Sequence, residues 1–450
     1  MDVSSLRLLE LALGELDKGF ADLPVVAHQD DSQRMGAILM EVAARMQDNY
    51  PFQHPLYAGQ MLKPPHAIAR LAYALSMWIN PNNHALDGGR ASSQMEKECV
   101  ADIARMFGWD ACLGHLCGGG TMANLEALWI AGRLRPGARI LASSQAHYTH
   151  SRISEVLQLA FDSVPVDPLG RMDMAALEGE LNKGNVGTIV ATLGTTGTGS
   201  VDPLPAILDL AREHGCRVHV DTAYGGYFHL ADNLDGDARA AFDCVHRADS
   251  IVVDPHKHGL QPYGCGCVLF RDLRVGSIYK HDSPYTYFSS DELHLGEISL
   301  ECSRAGASAV ALWATMRMLP LVPGGEFARD LARGRAAALD LHARLENDPR
   351  YLTVMRPELD ILVWAPAGSQ AGEISARSTR LFEKAADAHL HLALMQLPAT
   401  LLRSHWPQIR FDAERVICLR SCLMKPEHEE WTEAIWSILD SLAEQRTGVD

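Results

Sequence analysis

The chain contains no Cys-x-x-Cys pair, and its ten cysteines fall mostly within apolar runs. A chain of 450 residues, 47% of them hydrophobic, can bury a large core without a disulfide framework. Reduced thiols in a cytoplasmic protein are therefore expected. Positive charge is in deficit, with 40 Lys and Arg against 56 Asp and Glu and a formal net charge of −16. Phosphate backbones would be repelled rather than neutralised, which excludes a general nucleic-acid binder. No uninterrupted apolar run reaches membrane-spanning length, so no membrane partner is expected. The opening stretch MDVSSLRLLELALGELDKGF mixes charges with apolar residues at helical spacing, which reads as an amphipathic helix and not a signal peptide. Internal repeats and low-complexity tracts are absent. Twenty histidines occur, some in HYTH, HKH and HLH, but none has the HExxH or Cys/His spacing of a zinc site, so no metal is expected.

Along the chain, residues 1–50 read as two amphipathic helices and 51–66 as an irregular Pro/His-rich arm. Helices resume at 67–80 and 92–109. From 110 onward, short β-like runs alternate with helical stretches such as LPAILDLAREHG. The runs are ARILASS, VGTIVATLG, CRVHVDTAYGG, SIVVDP and GCGCVLF, several of them apolar on both faces. That pattern predicts an α/β fold with a mainly parallel sheet covered by helices on both sides. Gly324-Gly325 marks a boundary to a smaller α+β unit, with a helix over 327–346, strands near 352–365 and 416–424, and a closing helix over 428–445. The expected division is an N-terminal helical arm (1–75), a large domain (76–322) and a small domain (323–450).

Ligands of open α/β sheets gather outside the carboxyl ends of the strands. The residues just past each strand therefore matter most. CRVHV leads into Asp221, SIVV into Asp254, His256 and Lys257, ARILASS into His147, and VGTIVATL into Thr195 and Thr196. Upstream, LCGGGTMANLEALWIA puts three glycines before a helix with Thr121 at the expected N-cap, a seat for phosphate. It has neither the lysine of a nucleotide-binding P-loop nor G-x-G-x-x-G. Each feature alone has a structural explanation: a common turn, a core histidine, a helix cap, a surface lysine. Together they place an anion seat, a flat ring, a carboxylate and an amine at one sheet edge, a set that suits pyridoxal 5'-phosphate.

From about residue 50 onward the chain resembles the group II pyridoxal-phosphate amino-acid decarboxylases, a glutamate/aromatic/tyrosine decarboxylase-like family. The resemblance is carried by HPLYAGQM, NPNNHALDGGRASSQMEKE, CGGGTMANLEAL, QAHYTHSR, ATLGTTGTGSVDPL, HVDTAYGG, DPHKHG and LECSRAGASAVALW. It implies the aspartate-aminotransferase-like fold (PLP fold type I) and a homodimer with the site at the subunit interface. It also implies removal of the α-carboxylate of an L-amino acid to give an amine and CO2. By the match, Lys257 bonds the cofactor, Asp221 pairs with the pyridinium nitrogen, and His147 stacks on the ring with Ala223 on the opposite face. Gly120, Thr121 and His256 are implied phosphate contacts, with Thr195 or Thr196 near the ring or its 3-oxygen.

One departure bears on subfamily. Asp254 stands where many members carry asparagine, and a carboxylate beside a phosphate is unfavourable unless turned away or shielded. Asp254 followed by His-Lys, then Gly259 and Pro262, resembles the related phosphosphingosine lyases and archaeal-type tyrosine decarboxylases, so a carbon–carbon lyase of a phosphorylated amino alcohol stays open, as does an oxidative aldehyde synthase. For the substrate, the resemblance implies Gln60 at the substrate end of the pocket and Arg420 as a carboxylate clamp, with a structural ion pair as the alternative for Arg420. The loop HDSPYTYFSSDELH (281–294) is implied to be a lid carrying a catalytic tyrosine, Tyr285, with Tyr287 as competitor.

Overall fold

Strand breaks at Gly, Pro and Asp, and short apolar β-branched runs between them, set the large sheet. The computed structural model describes residues 4–26, 31–84, 86–280 and 298–444. Seven strands form this sheet: β1 (Leu113–Cys117), β2 (Arg139–Ser143), β3 (Phe161–Val164), β4 (Val186–Thr192), β5 (Arg217–Asp221), β6 (Ser250–Val253) and β7 (Gly266–Phe270). Their order is β1-β7-β6-β5-β4-β2-β3. All the residues of β1, β6 and β7 are buried, as expected for strands covered on both faces.

Every strand of this sheet but β7 runs in one direction. The segment between β6 and β7 holds no crossover helix, so β7 returns antiparallel beside β6 and inserts between it and β1. The crossover helices carry ordinary stop and start signals. Asp173 caps Met174–Asn182 by accepting from Ala176 N, and Gly215, left-handed at φ 67°, ends Leu204–His214.

Six helices matter below: α1 (Ser4–Lys18), α2 (Ser32–Met46), α3 (Ala67–Met77), α4 (Arg90–Met106), α5 (Gly120–Leu134) and α6 (Thr149–Val156). Helix Gly306–Met318 packs against α3 and α4. A second, wholly antiparallel sheet follows, of β8 (Tyr351–Thr353), β9 (Ile361–Pro366), β10 (Ala393–Pro398) and β11 (Arg415–Cys422), in the order β10-β11-β9-β8. Helices Glu326–Glu346, Ala371–Asp387 and His428–Glu444 accompany it. Among the described residues no helix is long and apolar enough to cross a membrane.

Candidate active site

Because β1, β2, β4, β5 and β6 point the same way, their carboxyl ends deliver the predicted residues to one edge. A cavity of about 530 Å³ opens there, walled by Gly118 to Met122, His147, Asp221, Ala223, Asp254, His256 and Lys257 among others. Its floor depends on close backbone approach. Gly119 sits at φ 138°, and a Cβ on it would come within 3.0 Å of His256 Cε1. A Cβ on Gly266 would stand 2.6 Å from the Gly119 backbone. Bare glycines thus leave the first turn of α5, whose N–H groups have no intrahelical acceptor, open toward the cavity.

Helix α5 begins at Gly120 with Gly119 as its cap, so Thr121 is its second residue and not the expected N-cap. Gly119, at a positive φ of 138° that glycine adopts readily, starts the helix two residues earlier than a threonine cap would. Thr121 still lines the cavity.

Asp221 ends β5 and is 4% exposed. Its Oδ2 accepts from His150 Nε2 at 2.8 Å and Asn124 Nδ2 at 3.3 Å, and its Oδ1 accepts from Ala223 N at 3.0 Å. Burial alone would raise its pKa. The His150 hydrogen bond and charge, the Ala223 N–H and nearby His219 more than offset that and hold the carboxyl below the usual range. His147 is half-buried with Nδ1 2.9 Å from Thr149 Oγ1, and burial lowers its pKa.

Asp254, 2% exposed, turns Oδ2 toward Lys257 Nζ at 3.1 Å and toward His256 Nε2 at 3.5 Å. The objection to a carboxylate in this place is met by the lysine that shields it. His256 Nδ1 and Asp254 Oδ1 are buried with no partner among the described residues. Burial lowers the His256 pKa.

The donor set fits pyridoxal phosphate. An open helix N-terminus and an idle buried imidazole nitrogen meet the needs of a phosphate. An ionised buried carboxylate meets those of a pyridinium, and Lys257 supplies the amine. Among the described residues no cluster of three or more His, Cys, Asp or Glu is arranged to hold a metal ion.

Two expectations change. Of the threonine pair, Thr196 lines the cavity and Thr195 does not. Thr195 is fully buried with its hydroxyl spent on Thr198 Oγ1 and Ser200 N, because the turn between Gly194 and Gly199 folds it inward. Gln60 and Arg420 do meet, though neither is among the residues that line the cavity. Arg420 donates to Gln60 Oε1 and to the carbonyl of Thr196, and no carboxylate pairs with it among the described residues. The structural ion pair considered for Arg420 is therefore not formed there. Tyr285 and Tyr287 lie outside the described residues.

His150 and Asn124 were not singled out from sequence. His150 falls three residues after His147 at the start of a helix, a spacing that keeps both on one side, and that was the available signal. Glu301 also lines the cavity, with Oε2 accepting from Gly118 N at 2.9 Å.

Residues 133–364 match the model of the pyridoxal-dependent decarboxylase conserved domain. The L-tyrosine decarboxylase of Enterococcus faecium is 27% identical over 67% of this chain and 67% of its own. An L-tyrosine decarboxylase of Levilactobacillus brevis is 27% identical, and the match spans 58% of its length. The L-aspartate decarboxylase of Thermococcus kodakarensis is 28% identical over 63% of this chain and 72% of its own. Among solved structures, Oryza sativa TDC with PLP and tryptamine superposes with a TM-score of 0.78 at 17% identity, covering 96% of this chain and 92% of that one. Mouse CSAD does so with 0.76 at 20% identity, covering 94% and 92%. At such identities the likeness speaks for the fold, and it is the α/β arrangement expected. The family match covers half of the sequence and takes in His147, Asp221 and Lys257. The chain therefore belongs to the pyridoxal-dependent decarboxylase family, as a pyridoxal-phosphate-dependent carboxy-lyase of amino acids.

Proposed function

We propose that this enzyme removes the α-carboxylate of an aromatic or acidic L-amino acid, releasing an amine and CO2. The observation that carries the reading is the convergence of Lys257, Asp221, His147 and the α5 N-terminus on one cavity. The choice of substrate class is supported by the names of the relatives, L-tyrosine and L-aspartate decarboxylases.

Pyridoxal phosphate, when bound, supplies the electron sink for the pair left on Cα as CO2 departs. The chain's own residues do the rest. The N–H groups around Gly120 and Thr121, with His256, hold the phosphate. Lys257 Nζ would bond the cofactor covalently, and Asp254 Oδ2, 3.1 Å away, would hold the lysine amine when it is not so bonded. Asp221 keeps a proton on the ring nitrogen, while His147 and Ala223 confine the ring between them. Arg420, held by Gln60 and the Thr196 carbonyl and with no carboxylate partner among the described residues, is the candidate clamp for a substrate carboxylate. Tyr285 would return a proton to Cα, and Tyr285→Phe should slow amine release and, with dissolved oxygen as oxidant, divert product to aldehyde, ammonia and peroxide.

The working unit is a cytoplasmic homodimer. In α2 no residue is buried, and Ile38, Leu39, Met40 and Val42 are each at least half exposed. An apolar helix of that kind is suited to a second copy of the chain. We place the division into a large and a small domain near Gly324-Gly325.

The test is CO2 release screened across the twenty amino acids and a few diamino acids, with Asp221→Asn as control. Turnover of L-tyrosine or L-aspartate that falls steeply in Asp221→Asn is expected. Release from neither class, or an Asp221→Asn variant with cofactor bound and near-normal rates, would contradict the reading.

A further inference from the structure

The carboxylate of Asp221 is gripped from three elements. From α6, His150 Nε2 donates to Oδ2 at 2.8 Å. From α5, Asn124 Nδ2 reaches the same oxygen at 3.3 Å. From the chain just past β5, Ala223 N donates to Oδ1 at 3.0 Å. Asn124 is itself fixed, since its Oδ1 accepts from His219 Nε2 at 2.8 Å and His219 Nδ1 lies 2.8 Å from Ser250 Oγ. With both oxygens engaged, the carboxylate cannot rotate, and its remaining lone pairs are left for the cavity.

We propose that His150 is the positioning residue that keeps Asp221 ionised and aimed at the cofactor's ring nitrogen. This rests on the reading of Asp221 as the partner of that nitrogen. The Ala223 donor comes with the local backbone, and the Asn124 contact is long, so the short bond from His150 is the side-chain grip that matters most.

The environment of His150 supports a dedicated role. The residue is fully buried, and its Nδ1 has no partner among the described residues. Burying an idle polar atom costs free energy, and an apolar residue would fill the space without that cost. What the imidazole gains there is the bond to Asp221. The other titratable groups facing Asp221 are His147 and Lys257 across the cavity, Asp254 at the exit of β6, and His219 two residues back on β5. Of these titratable groups, His150 is the one in hydrogen-bond contact with the carboxylate.

The experiment compares His150→Phe, which removes the donor, with His150→Gln, whose side-chain amide can donate in its place. In cofactor-free protein carrying 13C-labelled aspartate, the Asp221 ionisation midpoint is followed by NMR, with Asp221→Asn giving the assignment. His150→Phe should raise the midpoint by about one to two pH units, the scale of a lost hydrogen bond to a charged group. Pyridoxal phosphate affinity, read by equilibrium dialysis, should fall about tenfold to a hundredfold. His150→Gln should stay near the parent in both. If the phenyl ring prevents folding, His150→Ala takes its place with the same expectation. A donor-less variant that keeps the parent's midpoint and affinity overturns the inference, as does His150→Gln failing as badly as His150→Phe. Parent protein that takes up no pyridoxal phosphate would instead overturn the reading of the site, and the NMR midpoint alone would then decide the role of His150.

Discussion

Lys257 Nζ lies 3.1 Å from Asp254 Oδ2, within the single turn that leaves β6, and Lys257 N donates to the Asp254 carbonyl at 2.9 Å. Asp254 is almost wholly buried, whereas Lys257 keeps a fifth of its side chain exposed. A buried carboxylate needs a cation, and the turn supplies one that can also react.

Removing that partner should be felt in cofactor-free protein. Asp254→Ala leaves the Lys257 ammonium without its acceptor and should lower stability by about 1–3 kcal/mol. Asp254→Asn keeps an acceptor oxygen and should cost less. Urea denaturation of the cofactor-free variants measures both, and an Asp254→Ala protein as stable as the parent would show that the pair contributes nothing.

Lys425 gives a pH dependence remote from catalysis. Its Nζ donates to the Tyr57 carbonyl at 2.6 Å, and burial brings its pKa down to about 7. The unfolded chain holds its lysine protons to about pH 10.4. Above pH 7 the unfolded state therefore binds more protons than the folded one, and stability rises with pH by up to about 1.4 kcal/mol per unit. Lys63, also lowered by burial, to about 8, adds its own slope only at higher pH. Between pH 7 and 8, Lys425→Met should thus flatten the rise seen in the parent. Parallel stability curves for the two proteins would refute the assignment.

Two glycines with positive φ separate backbone strain from cofactor binding. A Cβ at Gly119 is strained at φ 138° and meets His256, whereas Gly215, at φ 67°, faces open space far from the cavity. Each change to alanine should cost about 1 kcal/mol or more of stability. Gly119→Ala alone should also weaken pyridoxal phosphate binding, by at least about tenfold if the lost contact is worth an ordinary charged hydrogen bond. Equal affinities in the two variants would remove the α5 N-terminus from the site.

The strand-exit residues were legible because the β-like runs at 139–143, 186–192, 217–221 and 250–253 are apolar and end in polar residues. In a parallel sheet those ends share an edge. Strand β1 was not read from LGHLC, a short run whose place depends on pairing with β7 across more than a hundred residues. Residue type alone leaves Thr195 and Thr196 open, because a turn's inward and outward hydroxyls depend on its φ and ψ angles. His150 went unassigned because its partner, Asp221, is 71 residues away in the chain.

The central assignment is Lys257 as the residue that bonds the cofactor, and one measurement tests it most directly. Purified protein loaded with pyridoxal phosphate is reduced with borohydride, digested, and its labelled peptide sequenced by mass spectrometry. The pyridoxyl group should sit on Lys257, in the peptide that follows SIVVDPH, and Lys257→Ala should bind cofactor without becoming labelled. A label on another lysine, or a parent protein that remains colourless and unlabelled with excess cofactor, would contradict it.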